Sequence, residues 1–202
     1  MSKVFSALAV SADGFISGGT PGGQEEFGRG LGDAPELFDW YFRGGNSPSR
    51  IYNGFALSAP SARFFDSIAD RVGVAVTGWT TYEHSSYFGG TGPHPDVPLV
   101  VVSHGPRPQV SENQTLVTTG IEDAIAIART KAGAKDVSLM GGVLTTEAIK
   151  AGLVDELILH QVPVLLGHGH RFFSELQEKV PLRLVEVVSA PEVTHIHYEV
   201  VR

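Results

Sequence analysis

Cysteine is absent from this chain of 202 residues. That absence excludes disulfides, thiolate zinc sites and cysteine nucleophiles together, and it suits a reducing compartment. Basic residues are few: 15 Lys and Arg stand against 22 Asp and Glu, giving a formal charge of −7. They form no run, and binding a phosphate backbone needs a basic face, so the balance argues against a nucleic-acid partner. No apolar run reaches the length of a membrane span, so no membrane partner is expected. The stretch from Val4 to Val10 is short for a signal core and flows into an Asp13-Gly14 turn. It reads as a first strand, with the cytoplasm as the expected address. Asn113-Gln114-Thr115 matches a glycosylation sequon, which means little without secretion.

The residues that are present describe a globular chain, 42% hydrophobic and 18% charged, rich in glycine with 24 of them. Its length fits one large domain, expected to span 1–202. From Ala12 to about Pro35 the chain reads as a long loop, and from Gly44 to Ser58 it is irregular again. Between them Pro35 to Phe42 suits a short helix opened by proline. From Pro60 the rhythm is regular. Ala62, Phe65, Ile68 and Ala69 share a helical face, and Val72 to Val76 makes a strand. A helix follows Gly78. Leu99 to Val102 is a continuous apolar run, as in a strand covered on both faces. Thr115 to Thr118 is a short strand, and Ile121, Ala124, Ile125 and Ala128 share a helical face. Thr119 with Glu122, and Thr80 with Glu83, have capping-box spacing. Val137 to Met140 reads as a strand, Thr145 to Ala151 as a helix ended by Gly152, and Leu157 to Val162 as a strand halted by Pro163. Two further strands, Leu182 to Val188 and Val193 to Val201, close the chain. The expected class is α/β, a mostly parallel central sheet with antiparallel C-terminal strands between helical layers.

Two strands run straight into glycine and then helix: Val74-Ala75-Val76-Thr77-Gly78 before Trp79-Thr80-Thr81-Tyr82-Glu83, and Val137-Ser138-Leu139-Met140-Gly141-Gly142 before Val143-Leu144-Thr145. Glycine admits close backbone approach, and a helix start offers unpaired N–H groups with a partial positive charge. One such junction is ordinarily a capped helix; two on neighbouring parallel strands suit a dinucleotide across the strand ends. No Gly-x-Gly-x-x-Gly follows a strand and no Walker-type loop is present.

Ala7-Leu8-Ala9-Val10 with Ser11-Ala12-Asp13-Gly14-Phe15-Ile16 resembles the first strand and turn of dihydrofolate-reductase-like proteins. Gly78-Trp79-Thr80-Thr81-Tyr82-Glu83 resembles their first phosphate-binding segment, and Met140-Gly141-Gly142-Val143 their Gly-Gly loop. Gly152-Leu153-Val154-Asp155-Glu156-Leu157 and Pro163-Val164-Leu165-Leu166-Gly167-His168-Gly169 are similar to the reductase domain of the riboflavin-biosynthesis deaminase–reductase and its stand-alone relatives. The motifs occur in the family's order from the first strand to about Phe173. The resemblance implies a dihydrofolate-reductase-like three-layer fold and a reductase of a pterin- or pyrimidine-like heterocycle. NADPH is the implied cofactor, with NADH as the alternative, and a homodimer the implied assembly. It implies that Ala9 and Ile16 flank the nicotinamide and substrate, and that Gly78, Thr80 and Thr81 hold phosphates. Gly141, Gly142, Val143, Leu144 and Thr145 would cradle the pyrophosphate, Ser103 would adjoin the adenine-side ribose, and a cis peptide would join Gly141 to Gly142.

Two departures stand out. Trp79 occupies the place of the family's arginine for the 2′-phosphate, so another cation, or a histidine such as His104, would have to replace it. The helix carboxylate of dihydrofolate reductases has no clear counterpart; Asp66 and Asp39 are the nearest, and no catalytic acid is assigned. A phosphoribosyl substrate would need cations, and Arg43, Arg50 and Arg63 are nearest by sequence. His168 with His170, and His195 with His197, invite a metal reading, but no carboxylate sits at ligand spacing beside them and structural roles are the default. The aromatic cluster Phe38, Trp40, Tyr41, Phe42 suits a pocket wall, a subunit contact or plain core. Two other functions compete with the reductase: a dinucleotide-binding protein without catalysis, and a histidine-dependent metallohydrolase.

Overall fold

The computed structural model describes residues 2–19, 32–49, 54–94, 96–106, 109–173 and 175–202. Arg50 and parts of the two long loops lie outside them. In chain order the elements are β1 (Val4–Ser11), β2 (Phe15–Ser17), a 3₁₀ turn (Pro35–Phe38), α1 (Asp39–Arg43), β3 (Ser47–Pro48), β4 (Ala56–Leu57) and α2 (Ala59–Ala69). Then come β5 (Val72–Gly78), α3 (Trp79–His84), β6 (Leu99–Val102), β7 (Gln114–Val117), α4 (Ile121–Ala132), β8 (Asp136–Met140) and α5 (Gly142–Lys150). The chain finishes with β9 (Glu156–Val162), β10 (His170–Arg171), β11 (Leu182–Ser189) and β12 (Thr194–Val200).

An eight-stranded sheet in the order β11-β12-β9-β1-β8-β5-β6-β7 organises the molecule. The pairings from β9 through to β7 are parallel, while β12 joins β9 and β11 joins β12 antiparallel. Alternation along the strands explains the two helical layers. Val4, Val74, Val76, Val100, Val102 and Leu139 pack against Ala124 and Ile125 of α4 and Leu144 and Ala148 of α5. On the other face Phe5, Val72 and Ile158 meet Phe64 and Ile68 of α2, while Ala75, Leu99 and Val101 meet Tyr82 of α3. The unbroken apolar run of β6 is thus buried on both sides.

The helix boundaries depart from the capping-box spacing. α3 opens directly behind Gly78 and α4 behind Gly120, each without a side-chain cap. Thr80 therefore lies within α3, and Thr119 lies before the cap of α4. β5 turns straight into α3 at Gly78, and Gly120 opens α4 three residues after β7. α5 begins three residues ahead of Thr145, at Gly142. α2 does have a side-chain cap: Ser58 Oγ accepts from the Ser61 amide at 3.3 Å.

Candidate functional site

β5 and β8 are hydrogen-bonded neighbours with Thr77 beside Met140, so the openings of α3 and α5 lie side by side at the carboxyl end of the sheet. They touch. A Cβ built on Gly141 would lie 2.7 Å from Thr81 Oγ1, and Gly141 holds φ +104°, a conformation side chains resist. Gly142 is enclosed on its other side: a Cβ there would meet the Phe172 carbonyl oxygen at 2.5 Å and Ile16 Cδ1 at 3.0 Å. Around Gly78 none of the described residues lies within 4 Å of such a carbon, so this opening is clear. Helix geometry leaves the amides of Gly142, Val143 and Leu144 without i−4 carbonyls. Val143 beside them is 65% exposed, so the first turn of α5 reaches the surface there.

The residues singled out from sequence fall into two groups. Thr81 meets Gly141 and Ile16 meets Gly142, while Gly78 stands open at the start of α3 with Thr80 exposed after it. Leu144 and Thr145 lie beneath. Leu144 belongs to the core, and the Thr145 hydroxyl sits 2.9 Å from the Gly141 carbonyl and 3.1 Å from Ser6 Oγ. Thr145 therefore fixes the loop from below, and its amide already bonds Gly141 O at 3.1 Å. Ser103 is buried and turned into a local bend, its hydroxyl 3.0 Å from the Gly105 carbonyl. Ala9 is buried at the end of β1.

The expected cis bond is absent: the described residues contain no cis peptide, and Gly141 makes the turn through its positive φ instead. Trp79 is half-buried and packs on Tyr82 with ring centroids 5.4 Å apart. His104 is exposed with Nε2 3.7 Å from Glu147, so an acidic group stands beside the substitute cation. Asp66 is buried and accepts from Ser49 Oγ at 3.1 Å. Asp39 and Arg43 form an exposed pair at 3.6 Å one helical turn apart, and Arg63 is exposed. Among the described residues no group of three or more His, Asp or Glu could hold a metal.

Three features escaped the sequence. Asp13 latches the first turn to the loop after β9, accepting from Ser11 Oγ at 2.6 Å, Leu166 N at 3.1 Å and Gly167 N at 2.7 Å. The Ser11 hydroxyl foremost, with those amides, holds its carboxyl down at about 2. Next, His195 partners His160 across β12 and β9, not His197, with Nδ1 atoms 2.8 Å apart. Burial pushes both rings down, His195 to about 4, and His195 beside it lowers His160 further. Finally, Trp40 of α1 covers this pair, with ring centroids 5.0 and 5.2 Å away. Both His160 and His195 follow the alternation of inward residues on their strands, but only the sheet order reveals that they meet.

Comparison with known proteins agrees with this geometry. The model of the RibD C-terminal domain family matches residues 2–196. The chain belongs to that family. One relative is the uncharacterized protein YwjB of Bacillus subtilis (strain 168), 27% identical over 134 residues, which cover 66% of this chain and 77% of that one. Among solved structures, a protein assigned to riboflavin biosynthesis from Shewanella sp. PV-4 superposes with a TM-score of 0.69 at 24% identity, over 100% of both chains. A dihydrofolate reductase from Enterococcus faecalis, solved with NADP(H), superposes with a TM-score of 0.59 at 18% identity, covering 99% of this chain and 97% of its own. At these identities the structural likeness speaks for the fold, which is dihydrofolate-reductase-like.

Proposed function

We propose that this member of the RibD C-terminal domain family is an NAD(P)H-dependent reductase of a small pterin- or pyrimidine-like heterocycle. The observation that carries the reading is the contact between the two openings, where Thr81 Oγ1 closes on the space a Gly141 side chain would fill. A diphosphate there would be bound by first-turn amides of α5 and by the hydroxyls of Thr80 and Thr81, with no net positive charge required. Gly141 without a side chain, the open space at Gly78 and the exposed first turn of α5 at Val143 fit such a group. When bound, the nicotinamide supplies the hydride. The chain's part is to hold it between Ile16 and Ala9 and to shape the space for the acceptor. NADPH is the leading cofactor because the family's neighbours include an NADP(H)-bound reductase. NADH is the alternative because Trp79 and the Glu147-flanked His104 offer a 2′-phosphate little charge.

The same reading includes a cytoplasmic address and a homodimer. A dimer would not use the strand from Val193 to Val201, because β12 lies inside the sheet between β9 and β11. β11 is the edge, and Leu182, Leu184 and Val187 lie on one face of it, each at least 42% exposed. A second copy covering that strip is the assembly proposed. The test of the activity is oxidation of NADPH and of NADH, followed by loss of nicotinamide absorbance, across pterins and aminopyrimidines. Turnover of at least one ring system is expected; stoichiometric binding without turnover would select the non-catalytic reading.

A further inference from the structure

The carboxyl end of the sheet contains a buried chain of groups that the hydride chemistry leaves unexplained. Ser58, half-buried at the start of α2, lies 3.0 Å from Ser61 Oγ. Ser61 Oγ lies 2.9 Å from His195 Nε2, and His195 Nδ1 lies 2.8 Å from His160 Nδ1. Ser61, His195 and His160 are each at most 1% exposed. His160 is the register partner of Ala9 on the neighbouring strand, so the chain ends beside the residue placed at the candidate pocket. Trp40 packs over both rings, and its indole N–H is buried without an acceptor among the described residues. A buried donor of this kind is costly unless a ligand or water accepts from it.

We propose that Ser58, Ser61, His195 and His160 form a proton relay that supplies the proton consumed at the candidate site. The inference rests on the reductase reading for its purpose, though not for its existence. Two features of the cluster favour conduction over simple packing. Among the described residues neither ring has a carboxylate partner, so burial keeps both neutral, and a neutral imidazole carries one N–H and one lone pair. An Nδ1-to-Nδ1 contact between neutral rings holds a single proton, which either ring can own.

The step balances as follows. Hydride adds to the carbon of a C=N bond in the heterocycle and leaves the electron pair on nitrogen. That nitrogen takes the proton of His160 Nε2, while His160 Nδ1 takes the proton of His195 Nδ1. His195 Nε2 takes the proton of Ser61, Ser61 takes that of Ser58, and Ser58 is replenished by water at the surface. The product gains one hydride and one proton, and both rings finish in the opposite tautomer, so one proton passes before they reset. A carbonyl oxygen or ring nitrogen accepting from the Trp40 indole would sit at the outlet. The relay thereby supplies the acid that no carboxylate in α2 provides.

The test follows exchange of the imidazole N–H protons with solvent by NMR on the full chain carrying isotope-labelled histidine. Ser61→Ala should slow exchange at His160 and His195 about tenfold or more, with the Ile196 and Ile158 amides unchanged, and Ser61→Thr should restore it. Where the hydroxyl serves only packing, Ser61→Ala leaves imidazole exchange unchanged or speeds it together with the amides; either result overturns the relay. A second arm measures NADPH-dependent reduction of a dihydropterin, where Ser61→Ala should lower kcat and leave NADPH affinity unchanged. Loss of imidazole exchange in a protein that reduces no pterin or pyrimidine supports the relay and refutes the reductase reading. Normal exchange in Ser61→Ala refutes the relay alone.

Discussion

Thr145 shows how a residue of the candidate phosphate loop can also hold that loop in place. Its hydroxyl ties the Gly141 carbonyl to Ser6 of β1, and Ser6 in turn donates to the Leu139 carbonyl at 3.1 Å. Thr145→Val keeps the volume and removes that link, so urea unfolding should show a loss of about 1–3 kcal/mol, the cost of leaving buried polar groups unpaired. Strain is stored elsewhere, where Ser86, Tyr87 and Phe88 all take left-handed φ of 49°, 59° and 51°. The Gln114 side-chain amide holds this turn by donating to the Tyr87 carbonyl at 3.2 Å and the Thr91 carbonyl at 2.9 Å. Ser86→Gly relieves one such residue and should raise stability by about 1 kcal/mol in the same measurement. At this scale the glycines were legible in the sequence because the residue type itself states the backbone need. The His160–His195 contact was not, since its partners lie on strands far apart in the chain and only the strand order joins them.

Among the elements, the strands of the parallel sheet were the most legible, because an apolar run such as Leu99 to Val102 has one physical solution when both faces are covered. The helix starts were less so. Capping-box spacing at Thr80 and Thr119 pointed to side-chain caps, but Gly78 and Gly120 open their helices without them. Local spacing reports what a cap could be; the abrupt strand-to-helix turn decides what it is. The C-terminal strands were readable as strands and not as neighbours. Insertion of β12 between β9 and β11 leaves β11 at the edge, with Leu184 57% exposed and Val187 51% exposed. Leu184→Lys should therefore convert a dimer to a monomer in light scattering behind size-exclusion chromatography, with the thermal transition of the monomer retained. A dimer that persists in this variant would place the subunit contact elsewhere.

The whole molecule responds to acid through two groups of buried residues. Glu156 lies at the amino end of the sheet, bonded by Lys3 and by Arg71 at 2.7 Å, with His197 Nε2 3.0 Å away. Burial alone would raise its carboxyl, but the nearby His197 ring and the hydrogen bonds from Lys3 and Arg71 outweigh it and hold the group well below the usual range. A depressed carboxylate gives stability that is present above its unfolded value of 4.5 and is lost as pH falls below it. The two histidines act earlier. Their depressed values mean that the unfolded chain binds protons first, so stability falls as pH drops from 6.5 toward 4. Urea unfolding should show the decline beginning just below pH 6.5, above the unfolded value of Glu156, and His195→Gln should flatten that part of it. The fold class and the two glycine-opened junctions were legible from sequence pattern and family likeness. The packing of α1 was not, because the sequence around it lacks periodicity, and only the sheet order places Trp40 over the histidines. The central claim is that the openings of α3 and α5 share one dinucleotide. Its most direct test is titration of the protein with NADPH and with NADH, followed by quenching of tryptophan fluorescence, in the wild type and in Gly141→Val. Saturable binding of one dinucleotide per chain, weakened at least about tenfold by a side chain that strikes Thr81 Oγ1, is predicted. Equal affinity in the variant, or no saturable binding by the wild type, would contradict the account.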